Sequence, residues 1–131
     1  MSIRGIRGAT TVCENSAEEI LNATQELLLA ILNKNPSLEA TDIASALFTL
    51  SPDLNAAYPA KAARKIGWTA VPLMCFQEIP VPGGVNHCVR VLLHWNTELP
   101  QNAVSHVYLR KAAALRPDLA NQSNKKDASH E

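Results

Sequence analysis

The hydrophobic pattern of the chain changes its period several times, and each change predicts an element. Residues 3–12 are a short apolar run with small residues, which predicts a first strand whose glycines, Gly5 and Gly8, allow other groups to come close. Between positions 20 and 32 the apolar residues recur with a helical period, and the S-x-x-E pattern at residues 16–19 predicts the start of this helix. Pro36 predicts its end.

A short strand and a short helix are predicted in the middle of the chain. Residues 44–50 alternate small and large side chains, as half-buried strands do. After a turn, Pro59 predicts the first position of a short helix and Gly67 predicts its end. This helix carries Lys61 and Arg64, which share a face because they are three residues apart.

Three more apolar segments predict the rest of the sheet. Residues 70–79 and 85–95 are rich in Val, Leu and Ile and flank a break of Pro and Gly, which predicts a strand pair joined by a tight loop. Residues 104–109 predict a last strand, and residues 111–115 a turn of helix. The order β, α, β, short α, β, β, β predicts an α+β fold, with a single mixed β-sheet and helices on one face. Another subunit could cover the other face of so small a domain.

Length and composition indicate one domain with a tail. The chain has 131 residues, enough for one core, and 47% of them are hydrophobic, which is too high for a disordered chain. The domain is assigned to residues 1–119. Residues 120–131 are polar and lack large apolar side chains, so we expect them to be disordered.

Charge and cysteine content disfavour several classes of protein. Lys plus Arg equals Asp plus Glu, at 12 each, whereas nucleic-acid binders usually carry a basic excess. No apolar run approaches the length of a membrane span. Three cysteines without a CxxC pair favour reduced thiols in the cytoplasm, and neither a metal-type histidine spacing nor a nucleotide motif is present. We therefore expect no cofactor, no nucleic-acid partner and no membrane partner.

Two charged residues interrupt the apolar runs of the predicted strand pair. Glu78 lies near the end of the first run and Arg90 lies in the middle of the second, where an arginine is costly to bury without a partner. From these two strands alone, a structural Arg–Glu pair, or an arginine that reaches solvent from a half-exposed face, is the favoured explanation, and a functional site needs support from the rest of the chain. In the first strand Arg4 and Arg7 have opposite parity, so one can enter a pocket while the other faces solvent.

The candidate functional residues are dominated by arginine. Arginine does not act as a general acid or base near neutral pH, but it binds carboxylates and stabilises developing negative charge. Such a set suits a small polyanionic metabolite and a reaction driven by electrostatics and positioning. The polar side chains on or beside the predicted strands and short helices are Arg7, Lys61, Arg64, Glu78, Arg90, Tyr108 and Arg116.

Several sequence blocks, in order from residue 3 to residue 119, resemble the AroH class of chorismate mutase. They are IRGIRGATT at residues 3–11, YPAKAAR at residues 58–64, C-x-x-E at residues 75–78 followed by Arg90, HVYL at residues 106–109 and LRPDL at residues 115–119. The resemblance implies a homotrimer whose sheets form the core of a pseudo-α/β barrel, with active sites between subunits. It also implies the [3,3]-sigmatropic rearrangement of chorismate to prephenate, in phenylalanine and tyrosine biosynthesis, without cofactor or covalent intermediate.

The resemblance also implies roles for individual residues. Arg90 would hydrogen-bond the ether oxygen and a carboxylate of the substrate, and Arg7 would bind a carboxylate with Tyr108 beside it. Glu78 and Cys75 would contact the region of the ring hydroxyl. The other implied substrate-binding positions are Leu73, Met74, Leu115, Arg116 near the mouth of the cleft, and, from the neighbouring subunit, Tyr58, Ala60, Lys61 and Arg64.

Some positions depart from the family pattern or leave an alternative open. Tyr58 stands where phenylalanine is familiar, and Leu73 and Met74 stand where smaller or polar residues are familiar. Cys75 and Glu78 have opposite parity, so either the strand bends between them or Cys75 contributes through its backbone. Lys61 could equally be a solvated surface charge.

Two other functions remain open from the sequence. A trimer that binds small carboxylates, similar to the imine-deaminase-like proteins, explains the arginines but not the joint presence of Glu78, Arg90 and Tyr108 in these contexts. Nucleic-acid binding would use the arginines on phosphates, but the zero net charge argues against it.

Overall fold

The structure, a computed structural model, describes residues 2–114, which form a five-stranded mixed sheet with two helices. The predicted element order and the α+β class are confirmed. The predictions for Leu115, Arg116 and the tail at residues 120–131 concern residues outside those that the structure describes. In chain order the elements are β1 (Ser2–Thr11), α1 (Ala17–Lys34), β2 (Ile43–Leu50), α2 (Ala60–Lys65), β3 (Leu73–Gln77), β4 (Cys88–Thr97) and β5 (Val107–Tyr108), with short 3-10 segments at Ala40–Asp42, Gln101–Ala103 and Arg110–Ala114.

The strand order β3-β2-β4-β1-β5 shows that the predicted strand pair is not a hairpin. β2 lies between β3 and β4, parallel to β3 and antiparallel to β4. The connection at residues 78–87 therefore passes the end of β2. The hairpin prediction was wrong because an apolar run identifies a strand but not its neighbour, which depends on tertiary packing. The predicted last strand is also shorter, since only Val107–Tyr108 pairs with β1.

α1 begins at the residue that the sequence predicts. The Ser16 hydroxyl accepts a hydrogen bond from the Glu19 N–H at 3.2 Å. The Glu19 carboxylate accepts from the Cys13 N–H at 3.2 Å, so half of the predicted capping box forms and the other half is replaced. At the C-terminal end, the Asn35 side chain bonds the backbone carbonyl and N–H of Ser105, each at 2.9 Å. The helix end thereby holds the segment that leads into β5.

The core lies between the two helices and one face of the sheet. In β4 the side chains of Val89, Val91, Leu93 and Trp95 are buried, whereas those of Arg90, Leu92 and His94 are half-buried. The inner residues of the strands pack against Leu27, Leu28 and Ile31 of α1 and against Ala60 and Ala63 of α2. Both helices thus cover one face, as predicted, and neither covers the other. We call this second side the uncovered face.

Within the described residues no helix is long and apolar enough to cross a membrane.

Gly8 allows α1 to pack closely on β1. A Cβ atom at Gly8 would lie 2.7 Å from the Ile31 Cδ1 atom and 3.1 Å from the Val91 Cγ1 atom, and both neighbours are buried in the core. At Gly5, on the uncovered face, the nearest atom would be Leu92 Cδ1 at an ordinary 3.7 Å. Close packing therefore requires a residue without a Cβ atom at position 8, but not at position 5.

We expect Gly8→Ala to lower the free energy of unfolding by about 1–3 kcal/mol, since an extra methyl in a filled core forces its neighbours to shift. Urea unfolding at a fixed protein concentration measures this. Gly5→Ala is the matched control on the same strand, and it should change the unfolding free energy much less. Equal losses from the two variants would contradict the packing account.

Candidate active site

Arg90 and Glu78 meet at the centre of the uncovered face. Arg90 is the third residue of β4, and Glu78 directly follows β3 with its N–H donating to the Leu50 carbonyl at 2.8 Å. The Arg90 Nη2 atom lies 2.7 Å from the Glu78 Oε1 atom. Thr49 of β2, the strand between them, donates its hydroxyl to the other carboxylate oxygen, Oε2. Three strands thus fix one ion pair.

Arg7 lies on the same face, next to this pair. It is opposite Leu92 in the β1–β4 register, which places it diagonally across from Arg90. Its guanidinium carbon lies 5.9 Å from the centre of the Tyr108 ring, and its backbone N–H donates to the His106 Nδ1 atom at 2.9 Å. The sequence therefore predicted correctly that Arg4 points to the other face, where its Nε donates to a backbone carbonyl.

A cavity of about 200 Å³ joins these side chains on the uncovered face. It contains two guanidinium groups and one carboxylate, which leaves one net positive charge, so it favours an anionic ligand. A larger cavity of about 570 Å³ begins at Glu78 and Arg90 and continues along the connection after β3. The smaller cavity is lined by Arg7, Gly8, Leu47, Thr49, Phe76, Glu78, Arg90, Val91 and Leu92.

Arg90 keeps one buried donor available. Its Nε atom is buried and has no hydrogen-bond partner among the described residues. Leaving a buried donor unpaired costs free energy, and a ligand in the adjoining cavity would supply the missing partner. Burial raises the pKa of the nearby Cys88 thiol to about 11, and the neutral thiol adds no negative charge beside Arg90.

A second group of predicted residues lies apart from Arg90. Cys75 faces the helix side of β3, opposite in parity to Glu78, and it lines a separate cavity of about 420 Å³ together with Tyr58. Tyr58 is 74% exposed. Within one chain Cys75 therefore does not share the surroundings of Glu78, although the resemblance had placed them together. The strand needs no bend, because the two side chains point to different faces.

The remaining predicted positions lie on α2 and on β3, an edge strand of the sheet. Lys61 and Arg64 are exposed on α2, and Ala60 at its start is buried. Leu73 faces the core, whereas Met74 is 58% exposed on the uncovered face. We use the term Tyr58 group for Tyr58, Ala60, Lys61, Arg64, Leu73, Met74 and Cys75.

A cluster that the sequence analysis missed fixes the start of β4. The Asp53 carboxylate accepts hydrogen bonds from the Ser51 hydroxyl at 2.5 Å and from the His87 N–H at 3.0 Å. The Ser51 hydroxyl in turn accepts from the Cys88 N–H at 2.9 Å. Burial alone would raise the pKa of Asp53, but these hydrogen bonds and the charge of His87 hold it below its ordinary value. The only sequence signal was the Ser-Pro-Asp turn at residues 51–53.

No metal site is evident in the part of the chain that the structure describes, since no group of three or more His, Cys, Asp or Glu side chains there could hold an ion.

Comparison with known families identifies the family of this fold. The chorismate mutase type I family matches residues 3–119. The chain belongs to this family. The resemblance seen in the sequence is thereby confirmed, and the enzyme class is that of the chorismate mutases, which are isomerases.

Individual chorismate mutases are similar along nearly their whole length. The chain is 51% identical to "Chorismate mutase AroH" of Thermus thermophilus over 89% of this chain and 96% of the relative. It is 46% identical to "Chorismate mutase AroH" of Bacillus subtilis (strain 168) over 95% and 98%. A solved chorismate mutase from Clostridium thermocellum superposes with a TM-score of 0.82 at 50% identity, covering 84% of this chain and 97% of that one.

Proposed function

We propose that the uncovered face is one wall of the site at which this protein rearranges chorismate to prephenate, a step in phenylalanine and tyrosine biosynthesis. The observation that carries the proposal is Arg90, a guanidinium held by Glu78 at 2.7 Å with its buried Nε donor unpaired among the described residues. Its surroundings match the need of this reaction for a fixed cation beside a developing anion.

The chemistry needs charge and position rather than proton transfer. In the rearrangement the ether C–O bond breaks ahead of full C–C bond formation, so negative charge grows on the ether oxygen and positive charge grows on the ring. No proton moves between enzyme and substrate, and no covalent intermediate forms. A fixed cation beside the oxygen interacts more strongly with the transition state than with bound chorismate, and only such a difference raises the rate.

The other side chains on the uncovered face complete the recognition. Chorismate carries two carboxylates, and two guanidinium groups, those of Arg7 and Arg90, lie on this wall. We assign a substrate carboxylate to each of them, with Tyr108 beside Arg7. Glu78 has the further role of contacting the ring hydroxyl. The net positive charge of the wall draws a dianion from solution.

A direct assay tests the proposed function. Purified protein is incubated with chorismate while loss of chorismate and formation of prephenate are both followed, with buffer alone as the control. We expect prephenate to form in equal amount to the chorismate lost. Consumption without prephenate, or no consumption by folded protein, would contradict the proposal.

We further propose that the active unit is a homotrimer and that the Tyr58 group closes the site of a neighbouring subunit. On the uncovered face Leu47 and Leu92 are half-buried and Phe76 is 46% exposed, an apolar surface that an adjoining subunit would cover. Tyr58 and Cys75 line a different cavity from the one that Arg90 lines in the same chain, and the rest of the Tyr58 group lies on α2 and β3. As the family resemblance implies, we also propose Leu115 as a substrate-binding position and Arg116 as a residue near the mouth of the cleft.

Sedimentation at low micromolar concentration should give a mass near three times the 14.2 kDa of the chain. A shared site makes a second prediction. When Arg90→Ala and Arg64→Ala chains are co-expressed, random mixing makes about one site in four complete, so the mixture should be far more active than either variant alone. An active monomer, or no recovery in mixed oligomers of the expected mass, would contradict the shared site.

We propose a cytoplasmic location and no requirement for metal or organic cofactor. The rearrangement moves no electrons to or from a partner, and all three cysteines, Cys13, Cys75 and Cys88, are free thiols, as is usual in a reducing compartment. Full activity after treatment with a chelator and dialysis would support this. A loss of activity on chelation that one added metal restores would contradict it.

A further inference from the structure

Thr49 contacts the ion pair of the site through an oxygen that Arg90 does not use. Its hydroxyl donates to the Glu78 Oε2 atom, while Oε1 contacts the Arg90 Nη2 atom at 2.7 Å. In the β2–β4 register Thr49 lies directly opposite Arg90, and in the β2–β3 register it lies opposite Phe76, two residues before Glu78. Thr49 is therefore fixed by backbone pairing on both sides.

Without this hydroxyl, a second hydrogen bond between Glu78 and Arg90 would be favoured. A carboxylate and a guanidinium prefer to form two parallel hydrogen bonds. With Oε1 on Nη2, the second oxygen of Glu78 would reach Nε, the donor that has no partner among the described residues. Such a pair would consume the buried donor that the proposed reaction requires. The hydrogen bond from Thr49 holds Oε2 away from that position.

We propose that Thr49 is a positioning residue that limits the Arg90–Glu78 pair to one hydrogen bond and so reserves Arg90 Nε for the substrate. This inference rests on the proposed function. Thr49 acts through Glu78 and needs no contact with substrate. Its hydroxyl orients the carboxylate.

The test compares Thr49→Val with Thr49→Ser. Valine keeps the branched shape and strand preference but lacks the hydroxyl, and we expect kcat/KM for chorismate to fall about 10- to 100-fold, the usual effect of losing a hydrogen bond to a charged group. The loss should include kcat, because the reserved donor acts on the transition state. Serine keeps the hydroxyl and should restore most of the activity. Thr97→Val, at the far end of β4, is the matched control for hydroxyl loss and should match the parent.

A double-mutant cycle separates positioning from general damage. In a Glu78→Ala background the hydroxyl has no carboxylate to hold, so adding Thr49→Val should change kcat/KM by less than about twofold. If Thr49→Val does not fold, Thr49→Ala takes its place in the cycle. The proposal is overturned if Thr49→Val is as active as the parent, if serine fails to restore activity, or if the loss persists without Glu78. An inactive parent would instead contradict the proposed function.

Discussion

Arg90→Ala is expected to lower kcat by at least roughly a hundred- to a thousandfold, the effect of removing one preorganised donor in comparable sites, and a charge is lost as well. Arg90 lies between buried Val89 and Val91 on a central strand, so its guanidinium is held rigidly where water screens its field less. Because the charge acts on the transition state, the loss should appear in kcat and not only in KM.

Two further variants show whether the effect is local. Arg90→Lys should recover only part of the activity, since a point charge on a flexible stem cannot reproduce the fork of the guanidinium. Arg4→Ala is the matched control, because Arg4 lies on β1 but faces away from the cavity and donates to the Leu99 carbonyl. Stopped-flow or steady-state kinetics on correctly assembled protein give both parameters. An Arg4 variant as impaired as Arg90→Ala would indicate a general loss of structure.

Glu78→Ala is expected to lower kcat/KM by about a hundredfold, the scale of effect seen when a reacting group is misplaced by an ångström. Removing the carboxylate leaves Arg90 without its 2.7 Å partner and leaves the Thr49 hydroxyl without its acceptor. The guanidinium is then free to turn, and the two positive groups on this face, those of Arg7 and Arg90, repel each other without the negative charge of Glu78 beside Arg90.

Glu78→Gln separates orientation from charge. The amide oxygen can still accept from Arg90, so the guanidinium keeps one anchor, but the negative charge is gone. We expect activity between those of the parent and Glu78→Ala, measured with the same chorismate assay. Glutamine no better than alanine would mean that the charge of Glu78, and not its role as an anchor, is what the site needs.

The sequence predicted the helices and strands better than it predicted which strands lie next to each other in the sheet. The N-cap of α1 at Ser16 and the end of the helix before Pro36 followed from capping and proline chemistry. Both depend only on residues that are close in the sequence. The hairpin prediction failed because β2, a segment more than twenty residues earlier in the chain, inserts between β3 and β4. No local pattern carries that information.

The same limit applies to the site. Arg7, Glu78 and Arg90 could be found because charged residues in apolar strands are conspicuous. The opposite parity of Cys75 and Glu78 left either a bent strand or a backbone contribution from Cys75 open, and the structure needs no bend because the two side chains lie on different faces. Thr49 was not found, because a threonine in a strand is ordinary until the register places it between Arg90 and Glu78. The Asp53 cluster was missed for the same reason, since His87 reaches it from a distant segment.

If Arg90 accelerates the rearrangement through its positive charge, its shape and hydrogen-bond donors alone are not sufficient. Citrulline is the neutral near-isostere of arginine, and placing it at position 90 by semisynthesis keeps the length and most of the hydrogen-bond donors. Measured on an oligomer of the same mass as the parent, kcat for chorismate should fall by at least roughly a hundredfold. A citrulline enzyme with near-normal kcat would contradict this role of the charge.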